Sequence, residues 1–333
     1  MRDLTRLPKV HLHVHLESTI RWSTLRELGE VNGVPVPPHP TSPLAFNGFR
    51  EFGDYNTLIR SAPRRPEDFT RIALELCADE AAQGTRYAEV TFTAAAHGER
   101  LGDQEMPLAA VLDGLALGRS RYGIECRVLL DHSRRRSVDR AWQTLRLAIR
   151  YASAGVIGLG LAGDESHAAA PFAPVFHAAR EAGLRLVHHA GETAGPASIR
   201  EALSVGLADR LGHGIRVLDD PSLVAEVRDR AVPLEVCPSS NVALGLAGSL
   251  ATHPFPRLLA AGLKVTLNTD IPNITGVTLT EEYRRVKDTF GYDDTVLAAL
   301  NHAAIDASFA PAATKAHLHR ETDAWRGAPS SMP

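Results

Sequence analysis

The sequence is short of lysine, of cysteine and of long apolar runs, and each shortage argues against a class of protein. Only four of its 36 basic residues are lysines, and the net charge of −3 gives no basic footprint for nucleic acid. Its three cysteines are widely spaced and odd in number, which argues against a disulfide framework and fits a reducing cytoplasm. No apolar run has the length of a membrane span or the character of a signal-peptide core. We therefore expect a soluble cytoplasmic protein without nucleic-acid or membrane partners.

Short apolar segments of strand character alternate with longer segments of helical spacing. The predicted strands are Val10–His15, Arg86–Phe92, Ile124–Asp131, Val156–Ala162, Leu184–His189, Arg210–His213, Pro233–Cys237 and Lys264–Asp270. The clearest helices between them are Asp68–Gln83, Glu105–Tyr122, Asp139–Ala152, Ala173–Ala182, Ala197–Val205 and Pro221–Arg228. This alternation predicts an α/β fold, a (β/α)8 TIM barrel forming a single domain over residues 1–333. An open doubly wound sheet is the alternative, but no G-x-G-x-x-G motif follows the first strand.

Two segments fall outside the alternation. Val34–Arg65 is rich in proline and aromatic residues, and it predicts an inserted lid segment after the first strand. Its aromatic residues either cover the mouth of the barrel or pack only against its wall. After the last strand, Glu282–Phe290, Thr295–Phe309 and Ala312–Trp325 predict extra C-terminal helices.

Alternating histidines close the first predicted strand. Because side chains alternate faces along a strand, His11, His13 and His15 point the same way. Imidazoles on one buried face need partners, and a divalent metal is a natural one. More candidates follow later strands, whose C-terminal ends converge on one mouth in a barrel. These are His189, Glu192, His213 and Asp270. Three histidines and an aspartate, His13, His15, His189 and Asp270, make a mixed nitrogen and oxygen site typical of catalytic zinc.

The motifs around these residues resemble those of the adenosine deaminase family over nearly the whole chain. They are His13-Val14-His15-Leu16-Glu17, Leu161-Ala162-Gly163-Asp164-Glu165, His189-Ala190-Gly191-Glu192, Arg210-Leu211-Gly212-His213-Gly214, Glu235-Val236-Cys237-Pro238-Ser239-Ser240-Asn241 and Leu267-Asn268-Thr269-Asp270. Six motifs occur in the family's order, each near a predicted strand end. The resemblance implies a zinc-dependent aminohydrolase of the amidohydrolase superfamily, whose fold is also a (β/α)8 barrel.

The resemblance also implies roles for single residues. His13, His15, His189 and Asp270 match the zinc ligands, with His15 also bordering the substrate and Asp270 also catalytic. Glu192 matches the acid that protonates the ring nitrogen beside the attacked carbon. His213 matches the group that orients and deprotonates the attacking water. Gly163 matches a backbone contact to the purine, and Glu17 an acid near the ribose. Asp164 and Glu165 either support the site from behind or cap the next helix.

A single metal per chain is the better prediction. Related barrels that hold two metals commonly bridge them with a modified lysine at the fourth strand. This chain has no lysine between Lys9 and Lys264.

Two departures from the family pattern bear on the substrate. Ile271 stands where the family often has an acid that bonds N7 of the purine, and Ser18 replaces a usual glycine after Glu17. An unpaired N7 costs about 1–3 kcal/mol, so adenosine is either a poor substrate or is tolerated despite Ile271. A 7-deaza analogue should then lose little relative to its parent.

The expected reaction is hydrolytic deamination of a 6-aminopurine nucleoside, either adenosine or a modified derivative, to the 6-oxo product and ammonia. Aminodeoxyfutalosine, or another amino-heterocycle, is the alternative substrate. A metal-dependent ester or amide hydrolase, and a nucleoside-binding protein without activity, are the alternative functions.

Overall fold

The computed structural model describes residues 2–40, 44, 46 and 49–328, with Phe49 described through its backbone alone. Within these residues eight parallel strands lie in the order in which they occur along the chain. They are β1 (Lys9–His15), β2 (Thr85–Phe92), β3 (Glu125–Ser133), β4 (Val156–Ala162), β5 (Arg185–Ala190), β6 (Arg210–His213), β7 (Leu234–Val236) and β8 (Val265–Leu267). The predicted strand set is therefore confirmed, with ends that move by a few residues.

The sheet closes into a barrel just beyond β8. Val14 and Asp270 form a parallel bridge, with Asp270 donating to the carbonyl of His13 and His15 donating to the carbonyl of Asp270, both at 3.0 Å. These bonds pair the chain just beyond β8 with β1 and so close the sheet. The (β/α)8 prediction is therefore confirmed, and the alternative of an open sheet is wrong. Closure takes place at the residues that the sequence predicts as metal ligands.

Helices surround the barrel and follow most strands. Those of the first half are α1 (Trp22–Asn32), α2 (Phe49–Ser61), α3 (Pro66–Ala82), α4 (Ala94–Leu101), α5 (Met106–Tyr122), α6 (Val138–Arg150) and α7 (Ala173–Glu181). Those of the second half are α8 (Pro196–Ser204), α9 (Pro221–Asp229), α10 (Pro238–Ala243), α11 (Phe255–Ala260), α12 (Pro272–Thr275), α13 (Leu279–Phe290), α14 (Asp294–Ala307) and α15 (Ala312–Gly327). Proline stands in the first turn of many, where its missing N–H costs no hydrogen bond.

Side-chain amides complete β1, where backbone pairing is interrupted. Asn268 accepts the N–H groups of Leu12 and His13 at 2.8 and 3.1 Å, and Asn301 of α14 accepts that of Val10 at 3.2 Å. All three strand residues are fully buried or nearly so, where an unbonded N–H would cost about 1–3 kcal/mol. The histidine-bearing strand is thus fixed from two sides.

The inserted segment Val34–Arg65 contains one helix within its described residues, because α1 ends before it at Asn32. Its last part forms α2, whose Phe52 is buried and whose Tyr55 packs edge-on against Phe46. Residues 41–43, 45, 47 and 48 and the side chain of Phe49 lie outside the described residues, so closure over the barrel mouth stays a prediction. Among the described residues, no helix combines the length and apolarity needed to cross a membrane.

Candidate metal centre and active site

Four side chains from three strand ends meet at the mouth of the barrel. Within the described residues, His13, His15, His189 and Asp270 place one ligand atom each within 4.8 Å of the others. His15 Nε2 lies 3.2 Å from His189 Nε2 and 3.3 Å from Asp270 Oδ1, and His13 Nε2 lies 3.6 Å from the same oxygen. Zinc ligands at about 2.0–2.1 Å in a tetrahedron are separated by about 3.3 Å. The four residues therefore fit a divalent metal.

Unsatisfied polar atoms in this cluster support the same conclusion. His13 Nε2 is buried and has no hydrogen-bond partner among the described residues. Buried polar atoms almost always have partners, so an exception of this kind calls for an explanation. A metal ion accounts for it, because it takes the lone pair that Nε2 directs into the cluster.

The backbone conformation helps to direct these side chains inward. Asp270 and His213 adopt φ values of 61° and 63°, the left-handed region that side-chain-bearing residues seldom occupy. Such strain persists where the surrounding structure imposes it, and it concentrates at functional sites. Gly212, which precedes His213, has its own constraint, because a Cβ there would lie 2.8 Å from the His13 ring.

Three of the four candidate ligands, His13, His189 and Asp270, are held by a neighbour on the side away from the cluster. Glu235 Oε2 lies 2.8 Å from His13 Nδ1, and the Leu161 carbonyl lies 3.1 Å from His189 Nδ1. Ser240 donates its hydroxyl to Asp270 Oδ2 at 2.6 Å. These bonds place the Nδ1 protons away from the cluster and leave both Nε2 atoms free to coordinate.

Behind His13 a chain of buried charges runs through the barrel interior. Arg210 donates to Glu235 at 2.6 Å and to Glu89 at 2.5 Å, and Glu89 also accepts the backbone N–H of Phe309. Burial alone would lower the pKa of Arg210, but the two carboxylates outweigh it and raise that pKa. Each charge thus has its counter-ion, which buried ion pairs require.

Glu192 lies beside the metal cluster and is buried. Its Oε1 is 3.6 Å from His213 Nε2, and both residues group with Asp270 around one point. Burial raises the pKa of Glu192 well above its usual range, and the nearby charges of Asp270 and Glu165 add to the effect. A carboxyl group that keeps its proton near neutral pH is suited to act as an acid.

Glu165 holds the loop that carries Glu192. Its carboxylate accepts the backbone N–H groups of Gly191, Glu192 and Thr193 at 2.7–2.8 Å and the hydroxyl of Ser198 at 2.5 Å. The sequence left two roles open for Glu165, support of the site from behind or capping of the next helix. In the structure Glu165 supports the site from behind. Asp164 instead accepts the N–H of Ser166 in a local turn.

A chain of hydrogen bonds fixes the orientation of the proton on His213. The Phe255 N–H points at Nδ1 of His253, so a neutral His253 carries its proton on Nε2, 3.1 Å from Asn241 Oδ1. The Asn241 amide then directs its NH2 group at His213 Nδ1, 3.3 Å away. Burial lowers the pKa of His213 to about 4. Neutral His213 in this network presents its Nε2–H to Glu192 and Asp270, which suits orienting an oxygen atom there.

The residues predicted to touch substrate lie around the same mouth. Glu17 is buried and accepts bonds from the Thr93 N–H at 3.2 Å and from His97 Nε2 at 3.1 Å. Gly163 has φ 93°, and a Cβ there would come within 3.3 Å of the Ser133 hydroxyl. Ile271 is buried at the start of α12. Their substrate contacts, and any effect of Ser18, stay predictions.

Two histidines adjacent to the ligands have structural partners instead. His11 shares the face of His13 but bonds Glu80 at 3.1 Å and accepts from the Thr269 N–H at 3.3 Å. His188 accepts the N–H of Leu161 at 3.0 Å and donates to the Gly206 carbonyl at 2.8 Å. Both are satisfied core histidines rather than ligands.

Several supporting residues have no role assigned from the sequence. Glu235, Ser240 and Asn241 all belong to the motif Glu235–Asn241, so position within a motif was the available signal. His97, the partner of Glu17, has no such signal because it lies in a short helix 80 residues away.

Comparisons with known proteins agree with this geometry. A sequence model described as adenosine deaminase matches residues 8–325. An adenine deaminase of Rhodospirillum rubrum is 35% identical over 325 residues, covering 95% of this chain and 96% of that protein. An aminodeoxyfutalosine deaminase of Streptomyces coelicolor is 35% identical over 329 residues, covering 97% and 85%.

Solved structures show the same similarity. The adenine deaminase of Arthrobacter aurescens superimposes with a TM-score of 0.90 at 30% identity, over 96% of this chain and 99% of that one. An amidohydrolase of Burkholderia ambifaria with bound zinc gives a TM-score of 0.84 at 25% identity, over 97% and 92%.

Proposed function

Because the chain belongs to the adenosine deaminase family and is a deaminating hydrolase, we propose that it removes the 6-amino group of a purine nucleoside with the help of one bound zinc ion. The products are the 6-oxo purine nucleoside and ammonia. One observation carries the proposal, namely a buried carboxyl group of raised pKa, Glu192, beside four side chains that fit a metal.

His13, His15, His189 and Asp270 would hold the metal. When bound, the ion supplies Lewis-acid activation of water near neutral pH. A mixed histidine and aspartate site suits zinc, and the zinc-bound structural relative supports that choice.

The chain's own groups complete the chemistry. Glu192 gives its proton to the ring nitrogen beside the carbon under attack, which offsets the loss of aromaticity in the tetrahedral adduct. His213 holds the attacking oxygen on the side of the ring that faces Asp270, because its Nε2 lies 3.9 Å from that carboxylate. The two protons of the attacking water complete the balance: one is taken up by the amine, which leaves as ammonia when its bond to the ring carbon breaks, and the other restores the acid form of Glu192.

The range of substrates that this protein accepts is narrower than the range on which the reaction is possible. The named relatives act on adenine and on aminodeoxyfutalosine, so the family accepts both a free base and a substituted nucleoside. Ile271 cannot bond N7 through its side chain, which favours a substrate held by contacts away from the base. We place the physiological substrate among 6-aminopurine nucleosides with such contacts.

Replacing Glu192 with glutamine tests the reaction class. Glutamine keeps the shape but has no proton to give, so we expect ammonia release to fall by about 100- to 10,000-fold while metal content stays the same. An ester or amide hydrolase on the same barrel does not need an acid beside a ring nitrogen, so a variant with full activity on a 6-aminopurine would overturn the proposal. Adenine, adenosine and 5′-AMP are the first substrates to assay.

A further inference from the structure

A cavity of about 290 Å³ opens beside the active site, between α2 and the ends of β2 and β3. It borders the substrate residues on two sides. Thr93 and His97 line it and also bond Glu17, while Ser133 lines it and lies against Gly163. The cavity adjoins the residues predicted to bind the sugar, so a substituent of the substrate can enter it from the active site.

The wall of this cavity carries three guanidinium groups, those of Arg60, Arg100 and Arg136. Ser133 adds a hydroxyl group to the lining, while the hydroxyls of Thr57 and Ser61 donate to backbone carbonyls within α2. No carboxylate belongs to the same lining among the described residues. Arginine forks combined with hydroxyl donors are the usual means of holding phosphate or carboxylate groups.

The three arginines differ in how their charge is satisfied. Arg136 is paired with Glu99, which also bonds Arg140 at 3.1 Å. Arg100 donates only to neutral groups, including the Pro63 carbonyl at 2.6 Å and His97 Nδ1 at 3.1 Å. Burial lowers the pKa of both Arg100 and Arg136, which reflects the cost of keeping charge in the wall.

The Arg60 guanidinium donates no hydrogen bond and forms no ion pair within the described residues, although Arg60 is half-buried near the end of α2 and its backbone carbonyl accepts a bond from Arg100. Its charge acts at longer range on two carboxyl groups of the site, Glu17 and Asp131, and favours the ionised form of both. Glu17 is bonded by Thr93 and His97, and burial raises the pKa of Asp131. The N–H donors of the Arg60 guanidinium are therefore free to bond directly to an anionic group of a ligand in the cavity.

We propose that this cavity is a subsite for an anionic group on the sugar side of the substrate, held chiefly by Arg60. The proposal rests on the proposed function, since it takes the base to lie against Gly163 and Glu192 and the ribose near Glu17. The chemistry is shared by a phosphate monoester and a carboxylate at the 5′ position. Neutral adenosine would leave the subsite without its partner.

Binding to the Glu192→Gln variant tests the subsite independently of turnover. Adenosine, 5′-AMP and adenosine 5′-carboxylic acid are titrated at about 0.15 M salt, with and without Arg60→Gln. We expect at least one anionic ligand to bind about 10- to 100-fold more tightly than adenosine, and Arg60→Gln to remove most of that preference. The phosphate and carboxylate arms identify which anion fits.

Arg64→Gln is the matched control. Arg64 lies four residues further along and is exposed, outside the cavity lining. We expect it to change the preference less than about twofold. Equal affinity for all three ligands, or an equal loss in both arginine variants, would overturn the subsite. Failure of the enzyme with active Glu192 to release ammonia from any 6-aminopurine would instead overturn the proposed function.

Discussion

The carboxylate of Glu165 accepts the backbone N–H of Glu192 at 2.8 Å. Bonds from the amides on either side extend this contact to three consecutive residues, so one carboxylate shapes the whole turn after β5. The acid of the reaction thus stands on a loop whose backbone is fixed by a second buried acid. Burial alone would raise the pKa of Glu165, but these bonds outweigh burial and lower it, so Glu165 is held as an anion.

Replacing Glu165 with glutamine should reduce catalysis more than substrate binding. The amide cannot accept all the bonds that the carboxylate accepts, so the loop loses its fixed geometry and Glu192 moves from its working position. We expect kcat to fall about 10- to 100-fold with a much smaller change in KM.

Asp164→Asn provides the control for this loop. Asp164 is the adjacent acid, but it is only half-buried and its side chain bonds only within its own turn. Its variant should retain kcat within about twofold. Parallel losses in both variants would point to a general disturbance of the loop after β4 rather than to the positioning of Glu192.

The sequence predicts the barrel well because each strand is a short apolar run with a polar end. Strand β4 was placed at Val156–Ala162 and β6 at Arg210–His213, as observed. The helix α1 (Trp22–Asn32) was missed, because its apolar positions are few and no strand precedes it directly. The alternation of strands and helices therefore predicts the barrel topology, and its interruption at Val34–Arg65 indicates the insertion, but it does not place each helix between strands.

The candidate ligands could also be predicted, since each stands at a strand end and barrel strand ends converge. Of the supporting residues, those within the motifs had a signal in the sequence, and those outside them had none. His97 reaches Glu17, and Arg210 reaches Glu89 through the barrel interior, only because of three-dimensional packing that leaves no periodic signal. Hydrogen-bond partners on elements far apart in the chain can be identified only from the folded structure, because the spacing of residues in the sequence does not indicate them.

Metal content should separate ligands from neighbouring histidines. We expect about one zinc ion per chain in the purified protein and well below that in His13→Ala, His189→Ala and Asp270→Ala, because each removes a coordinating atom. A chelator should abolish activity and zinc should restore it. Metal analysis by mass spectrometry on folded protein checks the prediction.

His11→Asn and His188→Asn are the controls for that experiment. Both residues flank ligands in sequence but bond protein groups instead. Their variants should lose stability yet retain metal. Loss of the ion from either would mean that the ligand set is larger than four, and a second equivalent in the original protein would contradict the single-metal prediction.

Glu235 should tune metal affinity from behind His13. Glu235→Gln weakens the charge-assisted bond at 2.8 Å that orients the imidazole, so we expect metal affinity to fall about 10- to 100-fold. Glu89→Gln breaks the same buried charge chain at its far end and should cost stability without this loss. Competition with a chelator measures both. Equal loss of affinity in the two variants would show that Glu235 acts through folding alone.

Stability should fall as pH rises through the titration of Glu282, a buried acid on α13. Burial raises the pKa of Glu282 to about 7, from an ordinary value of 4.5, although its carboxylate accepts the Ser239 N–H at 2.8 Å. Below pH 4.5 the folded and unfolded chains both hold the proton, so the contribution of Glu282 to the free energy of unfolding does not change with pH. Between pH 4.5 and about 7 only the folded chain holds it, and stability declines by about 1.4 kcal/mol per pH unit.

Glu282→Gln removes this dependence because the amide stays neutral and still accepts the Ser239 N–H. The free energy of unfolding of the variant relative to the original protein should therefore rise by about 2–3 kcal/mol between pH 5 and pH 8. Urea titrations at several pH values measure the free energy of unfolding of both proteins. The histidines titrate in both, so their effect cancels in the difference between the two values. Asp288→Asn, at an exposed acid of the same helix, should show a flat difference. A flat difference for Glu282→Gln as well would mean that the folded chain holds this carboxylate ionised throughout.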